Sequence, residues 1–521
     1  MHDFILLKDI FINSCQKYPN KLAVVINNKN ATYKELYHDV QKFMHYLERN
    51  KFKAGDRVVI QSANTYPLIV MYWAVQLMGG VVSLFPFDCN AGVLNQMLDD
   101  LDPALVIGYN LSDEQKQSVN LISNNFVKIF FNSEDEFDSC LSNVVFANDM
   151  LPSNNIISSD LAMIIYTSGT TGDAKGVMLS HDNMLNAIKS INGYLKLRDS
   201  DIVYSILPMH FDYGLYQMLL SVYVGATLIL EHGMIFPGVF FRAIEKYQVT
   251  VLPILPNIIS LILKYNKSDE LKFRTVRKIT NTGERLSVSH IEFLKTIFPD
   301  AAIYLMYGLT ECKRCSYVSP DMLDKKPGSI GIPMPNLAMA IVDENGKHLP
   351  ANAVGEIVIS TPTLMRGYWK NINLTNKKIK LDAQGRRVLY SGDIGYQDND
   401  GYFFLSGRND SLVKLNGEKC HLGNYAARLE SQQDIVRAYL FLRTISDEDK
   451  QLIACIEIQS QSKCDASYLQ KLKSCFPVNH QPAYFYIAES FPVLPNGKLC
   501  YQKLESIAIN AFTKTLNLSV Q

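Results

Sequence analysis

Short apolar segments rich in β-branched residues recur along the first half of the chain, with helical patterns between them. They are RVVIQSA at 57–63, ALVIGYN at 104–110, VKIFFN at 127–132, ATLILE at 226–231 and TVLPIL at 250–255. Strands that alternate with helices favour parallel sheets with helices on both faces. A chain of 521 residues is also too long for a single core, so we expect two or more domains. The pattern predicts an α/β fold.

Residues 66–85, YPLIVMYWAVQLMGGVVSLF, carry no charge and are nearly long enough to span a membrane. Gly79 and Gly80 divide the segment into a helix-like half and a β-branched half. The division favours a buried helix that leads into a buried strand over a membrane span. We therefore expect no membrane association.

Closely spaced strand patterns (AMAIVD, GEIVIS, GYFFLSG) occupy the region 336–410 and are separated by Gly, Asn and Asp turns. They predict a small β-rich subdomain, at about 336–408. Mixed α and β signals return in the last hundred or so residues. We expect a large N-terminal domain of mixed and parallel sheets at 1–408 and a small α+β C-terminal domain at 409–521.

Charge and cysteine usage restrict the partners and the compartment. Lys plus Arg and Asp plus Glu both number 51, so no basic excess suggests a nucleic-acid partner. Ten cysteines lack regular spacing, as expected of reduced thiols. The start of the chain has no basic segment followed by a long apolar stretch and a cleavage site, so we expect no signal peptide. These features predict a cytoplasmic protein.

The segment YTSGTTGDAKG at 166–176 directly follows the apolar run LAMIIY. A glycine-rich turn after a strand exposes N–H groups that can surround phosphate oxygens, and Lys175 adds a positive charge. It is not a Walker loop, because Asp173 and Ala174 separate the last glycine from the lysine. Taken alone, the segment suits either a phosphate loop or an ordinary polar turn. Its candidate phosphate ligands before the lysine are Thr167, Ser168, Gly169, Thr170, Thr171 and Gly172.

Further motifs follow in a characteristic order. They are TYKEL at 32–36, YGLTE at 307–311, GEIVIS at 355–360, YSGD at 390–393, GRNDSLVKLNG at 407–417 and PNGK at 495–498. With the 166–176 segment, they resemble the core motifs of the adenylate-forming superfamily, which includes acyl-CoA synthetases, nonribosomal-peptide adenylation domains and luciferases. Each motif is weak alone, but their shared order is specific, and the resemblance covers essentially the whole chain.

The resemblance implies a reaction in two halves. A carboxylate attacks the α-phosphate of ATP, which gives an acyl-adenylate and pyrophosphate, and a thiol then accepts the acyl group. The first half brings an anion onto a polyanion, so neutralisation of charge and positioning must do most of the work. The implied cofactors are ATP and Mg²⁺, a cation that favours oxygen ligands.

The resemblance also assigns roles to individual residues. Lys498 would be the catalytic lysine that bridges the substrate carboxylate and the α-phosphate, although a lysine after Asn-Gly is ordinarily a solvated turn residue. Thr310 would bind a phosphate oxygen and Glu311 would hold Mg²⁺. Asp410 would be the hinge of a mobile C-terminal domain. The remaining nucleotide ligands would be Gly283, Glu284, Met306, Tyr307 against adenine, Gly308 beside it, Asp393 at the ribose hydroxyls and Arg408.

Three features depart from the family pattern. Ala174 stands where proline is usual, which removes no ligand. Cys312 and Cys315 form a CxxC without a second pair, so a metal or redox role is not expected. The segment EKCHLGNYA at 418–426 replaces a pattern on the thiol-delivery face, which leaves the thiol acceptor open.

Two interpretations of the acyl pocket arise from LPMHFDYGLYQ at 207–217. His210 is placed as in acyl- and aryl-CoA synthetases. Phe211-Asp212 is placed as in amino-acid-activating relatives, in which the aspartate binds the substrate ammonium. Asp212 could instead cap a helix that begins at Tyr213. The other expected pocket residues are Tyr213, Tyr216, Pro253, Thr280, Thr282, Met306, Arg314 and Cys315.

The motifs MYGLTECKR and FDYGLYQ look most like stand-alone ligases that load an amino acid, such as proline, onto a separate carrier protein. About twenty residues follow PNGK, too few for a fused carrier domain. We therefore expect activation of an amino acid, with L-proline favoured, and transfer to a carrier's phosphopantetheine thiol. The alternatives are an acyl-CoA synthetase for a fatty or aryl acid, an inactive nucleotide-binding relative and a luciferase-like oxidising relative.

Overall fold

The computed structural model describes most of the chain. The described residues are 4–27, 29–121, 126–142, 155–168, 174–231, 236–265, 271–408, 412–415, 418–432, 434–444, 450–458, 466–493 and 499–518. Several predicted site residues lie outside them: Gly169, Thr170, Thr171, Gly172, Asp410 and Lys498.

Helices are distributed along the whole of this described part. They are α1 (Leu7–Lys17), α2 (Tyr33–Arg49), α3 (Tyr66–Leu77), α4 (Ala91–Leu101), α5 (Asp113–Leu121), α6 (Glu134–Ser142), α7 (His181–Leu195), α8 (Asp212–Val224), α9 (Pro237–Tyr247), α10 (Pro256–Tyr265), α11 (Val288–Ile297), α12 (Ile372–Lys378), α13 (Leu422–Glu430), α14 (Ala466–Lys473) and α15 (Tyr501–Leu518).

Strands alternate with these helices as far as α11 and dominate the segment after it. They are β1 (Leu22–Ile26), β2 (Lys29–Thr32), β3 (Arg57–Gln61), β4 (Val81–Phe85), β5 (Leu105–Tyr109), β6 (Val127–Phe131), β7 (Leu161–Ser168), β8 (Ala174–Ser180), β9 (Ile202–Ser205), β10 (Thr227–Leu230), β11 (Val251–Pro253), β12 (Lys278–Asn281), β13 (Ala302–Leu309), β14 (Lys313–Val318), β15 (Ser329–Pro333), β16 (Ala338–Val342), β17 (Gly355–Ser360), β18 (Gly367–Tyr368), β19 (Ile379–Leu381), β20 (Arg387–Gln397), β21 (Phe403–Arg408), β22 (Leu412–Leu415), β23 (Glu418–His421), β24 (Ile435–Thr444), β25 (Lys450–Ile458) and β26 (Tyr484–Ala488).

A seven-stranded sheet has the order β18-β8-β7-β4-β3-β5-β6, and its strands from β7 to β6 run parallel. Helix α3 is buried along its whole length, because it is apolar on every side. A Cβ on Gly80 would lie 2.6 Å from side-chain atoms of both Phe52 and Val75, so the turn between α3 and β4 requires glycine there. The prediction of a buried helix followed by a buried strand at 66–85 is confirmed.

A larger sheet has the order β16-β17-β20-β21-β15-β14-β13-β12-β11-β9-β10-β1-β2. The section from β1 to β13 is parallel, and the section from β13 to β16 is antiparallel. The segment predicted to be β-rich, 336–408, forms β16 to β21 together with α12. Five of its strands (β16, β17, β19, β20 and β21) join the large sheet through the pairing of β15 with β21, whereas β18 pairs with β8 in the seven-stranded sheet.

The last part of the chain forms a three-stranded sheet of β24, β25 and β26 and a hairpin of β22 and β23. Alternate residues of β25 point to opposite faces of this sheet. On one face Ile456 packs with Leu429 and Leu472, and on the other Ile453 packs with Leu504. The α+β character predicted for this region is confirmed, and the boundary at 408 and 409 stays a prediction.

The parallel sheets with helices and the α+β C-terminal part match the predicted α/β class. None of the helices in the ranges given above combines the length and apolarity that a bilayer span requires.

Candidate active site

A cavity of about 960 Å³ opens where several elements of the two sheets end. Parallel strands place their carboxyl ends at one edge, which is where open α/β sheets bind ligands. Thr282 and Gly283 follow β12, Thr310 and Glu311 follow β13, and Asp212 begins α8. The predicted residues that line the cavity are Thr167, Lys175, Asp212, Thr282, Gly283, Gly308, Thr310, Glu311, Arg314 and Arg408.

Other predicted residues do not line this cavity in the described part of the chain. Some of them support its wall: the Tyr213 hydroxyl donates to the Thr280 carbonyl oxygen at 2.6 Å, and Met306 Sδ accepts from the Tyr194 hydroxyl at 2.8 Å. Both residues are thus bonded to other groups of the protein, and their predicted contacts with a ligand stay predictions. The residues in this group are His210, Tyr213, Tyr216, Pro253, Thr280, Glu284, Met306, Tyr307, Cys315 and Asp393.

The cavity carries more positive than negative charge. Among the residues that the structure describes, six lysine or arginine side chains line it against three aspartate or glutamate side chains. Thr167 and Lys175 are cross-strand partners in the antiparallel pair of β7 and β8, close to where the described parts of these strands end. An excess of cations beside hydroxyl groups suits a polyanionic ligand.

Tyr307 on β13 and Asp393 on β20 bind each other, although three strands separate β13 from β20 in the order of the large sheet. The Tyr307 hydroxyl donates to Asp393 Oδ2 at 2.5 Å, and Arg408 Nε lies 3.9 Å from Asp393 Oδ1. Burial raises the pKa of Asp393 and of Tyr307. The residue predicted to contact adenine and the residue predicted to bind the ribose are thus joined by a hydrogen bond beside the cavity.

Gly308 is required by the protein's own backbone. A Cβ at this position would lie 2.0 Å from the carbonyl oxygen of Lys313. Gly308 pairs with Arg314 where the register of β13 and β14 shifts. The expected role of Gly308 beside adenine stays a prediction, since the hairpin alone already requires a glycine.

Glu311 is positioned by Tyr368, whose hydroxyl donates to Glu311 Oε1 at 2.6 Å. Among the described residues, no cluster of three or more His, Cys, Asp or Glu side chains could hold a metal. A single carboxylate beside a hydroxyl fits Mg²⁺ only when ligand oxygens complete the coordination, as phosphates do. The residues present are consistent with a cation of that kind.

Asp212 and Arg314 form a buried ion pair at the cavity wall. Arg314 Nη1 lies 3.4 Å from Asp212 Oδ2, and the two residues are 3% and 6% exposed. Helix α8 begins at Asp212 itself, with Phe211 as its N-cap and no side-chain capping hydrogen bond. The alternative that Asp212 caps a helix beginning at Tyr213 is therefore wrong.

His210 differs from Asp212 in its electrostatics. Burial lowers the pKa of His210 to about 4, and the nearby Asp88 opposes this shift. The imidazole is therefore neutral at neutral pH. It can act as a hydrogen-bond partner, but it does not supply a positive charge for a carboxylate.

Glu284, predicted to bind the nucleotide, contacts the C-terminal part of the chain. Glu284 Oε2 lies 3.2 Å from Arg437 Nη1, and Glu284 Oε1 accepts from the backbone N–H of Leu499 at 2.6 Å. Leu499 directly follows Lys498, and Gly283 lines the cavity. This contact places the residue after the predicted catalytic lysine next to the cavity wall.

Cys312 and Cys315 lie with their Sγ atoms 3.1 Å apart, and both are free and fully buried. Burial raises the pKa of the Cys312 thiol well above its ordinary value. Both thiols are inaccessible to solvent, and the expectation of no metal or redox role stays a prediction.

Several lining residues were not predicted from the sequence. Glu356 accepts a hydrogen bond from the backbone N–H of Gly392 at 2.8 Å. Because Glu356 belongs to the motif GEIVIS, that motif could have indicated it as a site residue. Three lysines at the end of α12 and in β19 carry no such signal, since a lysine-rich segment is ordinarily solvated. These lysines are Lys377, Lys378 and Lys380.

Curated relatives match nearly the whole of this chain. The chain is 26% identical over 502 residues to tyrocidine synthase 2 of Brevibacillus parabrevis, and the alignment covers 95% of the chain and 13% of that protein. The chain thus spans about an eighth of the length of that relative. It is 25% identical to the zwittermicin A synthase ZmaJ of Bacillus cereus, with 95% of the chain and 93% of that protein covered.

Solved structures share the fold. The RpMatB-BxBclM chimera B3 superposes with a TM-score of 0.85 at 21% identity, covering 96% of this chain and 99% of the other. VinN in complex with L-aspartate superposes with a TM-score of 0.68 at 27% identity, covering 77% and 98%.

The model of the family described as AMP-binding enzyme matches residues 11–369, more than half of the chain. The matched region includes the hairpin with Lys175, the Asp212–Arg314 pair and the turn with Glu311. This chain therefore belongs to the AMP-binding enzyme family and is an adenylate-forming enzyme.

Proposed function

We propose that the protein activates an amino acid with ATP to an aminoacyl-adenylate, releases pyrophosphate, and transfers the aminoacyl group to the phosphopantetheine thiol of a separate carrier protein. The observation that carries the proposal is a buried aspartate, Asp212, on the wall of a cavity that otherwise carries an excess of cations. A substrate ammonium would meet a carboxylate there, whereas its reacting carboxylate would lie toward the cations.

The described residues divide the work of the first half-reaction. Thr167 and Lys175 would hold the phosphates that leave as pyrophosphate, and Thr310 would donate to a phosphate oxygen. Asp393, held by Tyr307, would accept the ribose hydroxyls. When bound by Glu311 and the phosphates, Mg²⁺ would neutralise charge that develops on the phosphate oxygens.

Two relatives support the amino-acid class and the separate carrier. VinN was solved with L-aspartate. ZmaJ is matched over nearly its whole length, so a relative of about this size exists as one protein. L-proline remains a candidate substrate from the sequence motifs. The cytoplasmic location expected from the cysteine usage is part of the same proposal.

A pyrophosphate-exchange assay tests the proposal. The panel consists of the twenty amino acids, β-alanine, octanoate and benzoate. We expect exchange with at least one of the amino acids. Asp212→Ala should lower kcat/KM for the amino acid by about a hundredfold, because a buried ammonium would lose its counter-charge. Exchange with octanoate or benzoate alone would instead establish the acyl-CoA synthetase alternative, and no exchange at all would favour an inactive relative.

Glu311→Gln should lower exchange by about tenfold to a hundredfold and shift the magnesium optimum upward. The substitution keeps the shape of the side chain and removes its charge. A magnesium titration of exchange activity measures the shift, and a thermal melt checks the fold. Tyr368→Phe is the matched control, because it removes only the hydrogen bond to Glu311. A magnesium dependence identical to wild type would exclude Glu311 as a metal ligand.

A further inference from the structure

Asp212 is paired with a buried cation at the cavity wall. Arg314 Nη1 lies 3.4 Å from Asp212 Oδ2, and the two residues are 3% and 6% exposed. The two opposite charges offset each other before any substrate binds.

Arg314 has donors to spare. A guanidinium carries five N–H groups, and in the part of the chain that the structure describes the guanidinium of Arg314 makes one hydrogen bond to Asp212 and lies 4.9 Å from the ring centre of Tyr213. Arg314 also lines the cavity, so its other donors are within reach of a bound molecule. The planar guanidinium matches a carboxylate better than it matches any neutral group.

The charge balance then selects among amino acids. A substrate with a neutral side chain, such as proline, brings an ammonium to Asp212 and so leaves Arg314 as a buried cation in excess. The carboxylate that reacts cannot correct this, because it must reach the α-phosphate. Only a second carboxylate on the substrate compensates for the excess.

The geometry points to a substrate with three charged groups: a carboxylate that is activated, an ammonium bound by Asp212, and a second carboxylate bound by Arg314. The substrate class is an amino dicarboxylic acid of the size of aspartate or glutamate. This inference rests on the proposed function, and it ranks this class above proline. If Arg314 served only to neutralise Asp212, the enzyme would not distinguish an acid from its amide.

Pyrophosphate exchange with the full-length protein tests the inference with matched pairs of substrates. L-aspartate is compared with L-asparagine, L-glutamate with L-glutamine, and L-proline and succinate are included. We expect one acid to exceed its amide in kcat/KM by at least about a hundredfold. An amide or proline that is used as well as the best acid overturns the inference and leaves amino-acid activation intact.

Variants identify the residue responsible. Arg314→Gln should abolish the preference for the acid, and Arg314→Lys should retain part of it. Because Arg314→Gln leaves Asp212 unpaired, the double variant Asp212→Asn with Arg314→Gln is tested as well and should also lose the preference. Arg274→Gln, which breaks a surface pair with Asp300, is the control and should keep it.

The remaining outcomes distinguish the assignment of Arg314 from the proposed activation of an amino acid. Activity with succinate but with no amino acid supports the assignment of Arg314 and overturns the ammonium site at Asp212. Activity with octanoate or benzoate alone overturns both. Retention of the acid preference in the double variant overturns the role of Arg314 even when amino acids are the substrates.

Discussion

Replacement of Lys498 by alanine is expected to lower the rate of adenylation by about 10²- to 10³-fold, because a cation would no longer meet the negative charge that develops between the carboxylate and the α-phosphate. The residue itself lies outside the described residues. Its neighbour Leu499 is bound to Glu284, next to a residue that lines the cavity. Pyrophosphate exchange measures the loss.

The second half-reaction provides the internal control for this variant. Transfer from separately supplied aminoacyl-adenylate to the acceptor should survive Lys498→Ala, because that step no longer involves the α-phosphate attack. Lys503→Ala, an exposed lysine on α15, should leave both half-reactions unchanged. An equal loss in the two half-reactions would show that Lys498 acts in some other way.

Asp393→Ala is expected to raise the KM for ATP by about a hundredfold. A buried carboxylate that accepts from two ribose hydroxyls makes two charge-assisted hydrogen bonds, each contributing about 1.5–3 kcal/mol. The wild-type enzyme should therefore prefer ATP to 2′-deoxy-ATP, and the variant should lose most of that preference. Initial-rate measurements of exchange with the two nucleotides test both expectations.

Tyr307→Phe is the matched control for Asp393. It keeps the ring and the carboxylate and removes only the hydrogen bond between them, so the preference for the 2′-hydroxyl should largely remain. If Asp393→Ala discriminated between the two nucleotides as the wild type does, the ribose would be bound elsewhere.

Local patterns predicted the elements of the fold well. The apolar runs at 57–63 and 104–110 form β3 and β5, and the uncharged segment at 66–85 forms α3 and β4. These elements follow from the periodicity and the composition of neighbouring residues. The merging of the β-rich segment with the large sheet could not be predicted this way. It depends on the pairing of β15 with β21, whose residues are far apart in the sequence.

The site shows the same limit. Motifs placed Thr167, Lys175 and Glu311 on the cavity, because each motif is a contiguous stretch of chain. The ion pair of Asp212 and Arg314 joins residues 102 positions apart, and the contact of Glu284 with Leu499 spans 215 positions. Such contacts arise only when helices and strands pack together. The nucleotide role expected for Glu284 stays a prediction, and no local pattern encodes its contact with Leu499.

The contact of Glu284 with Arg437 and Leu499 bears on the order in which reactants meet the enzyme. Leu499, the residue after Lys498, is bound to Glu284 beside a residue that lines the cavity, an arrangement that would suit the adenylation half of the proposed cycle. In the proposed cycle, the carrier's thiol can approach only after this contact breaks and the small domain turns. Pyrophosphate would then leave before the acceptor arrives, which corresponds to ping-pong kinetics between ATP and the carrier.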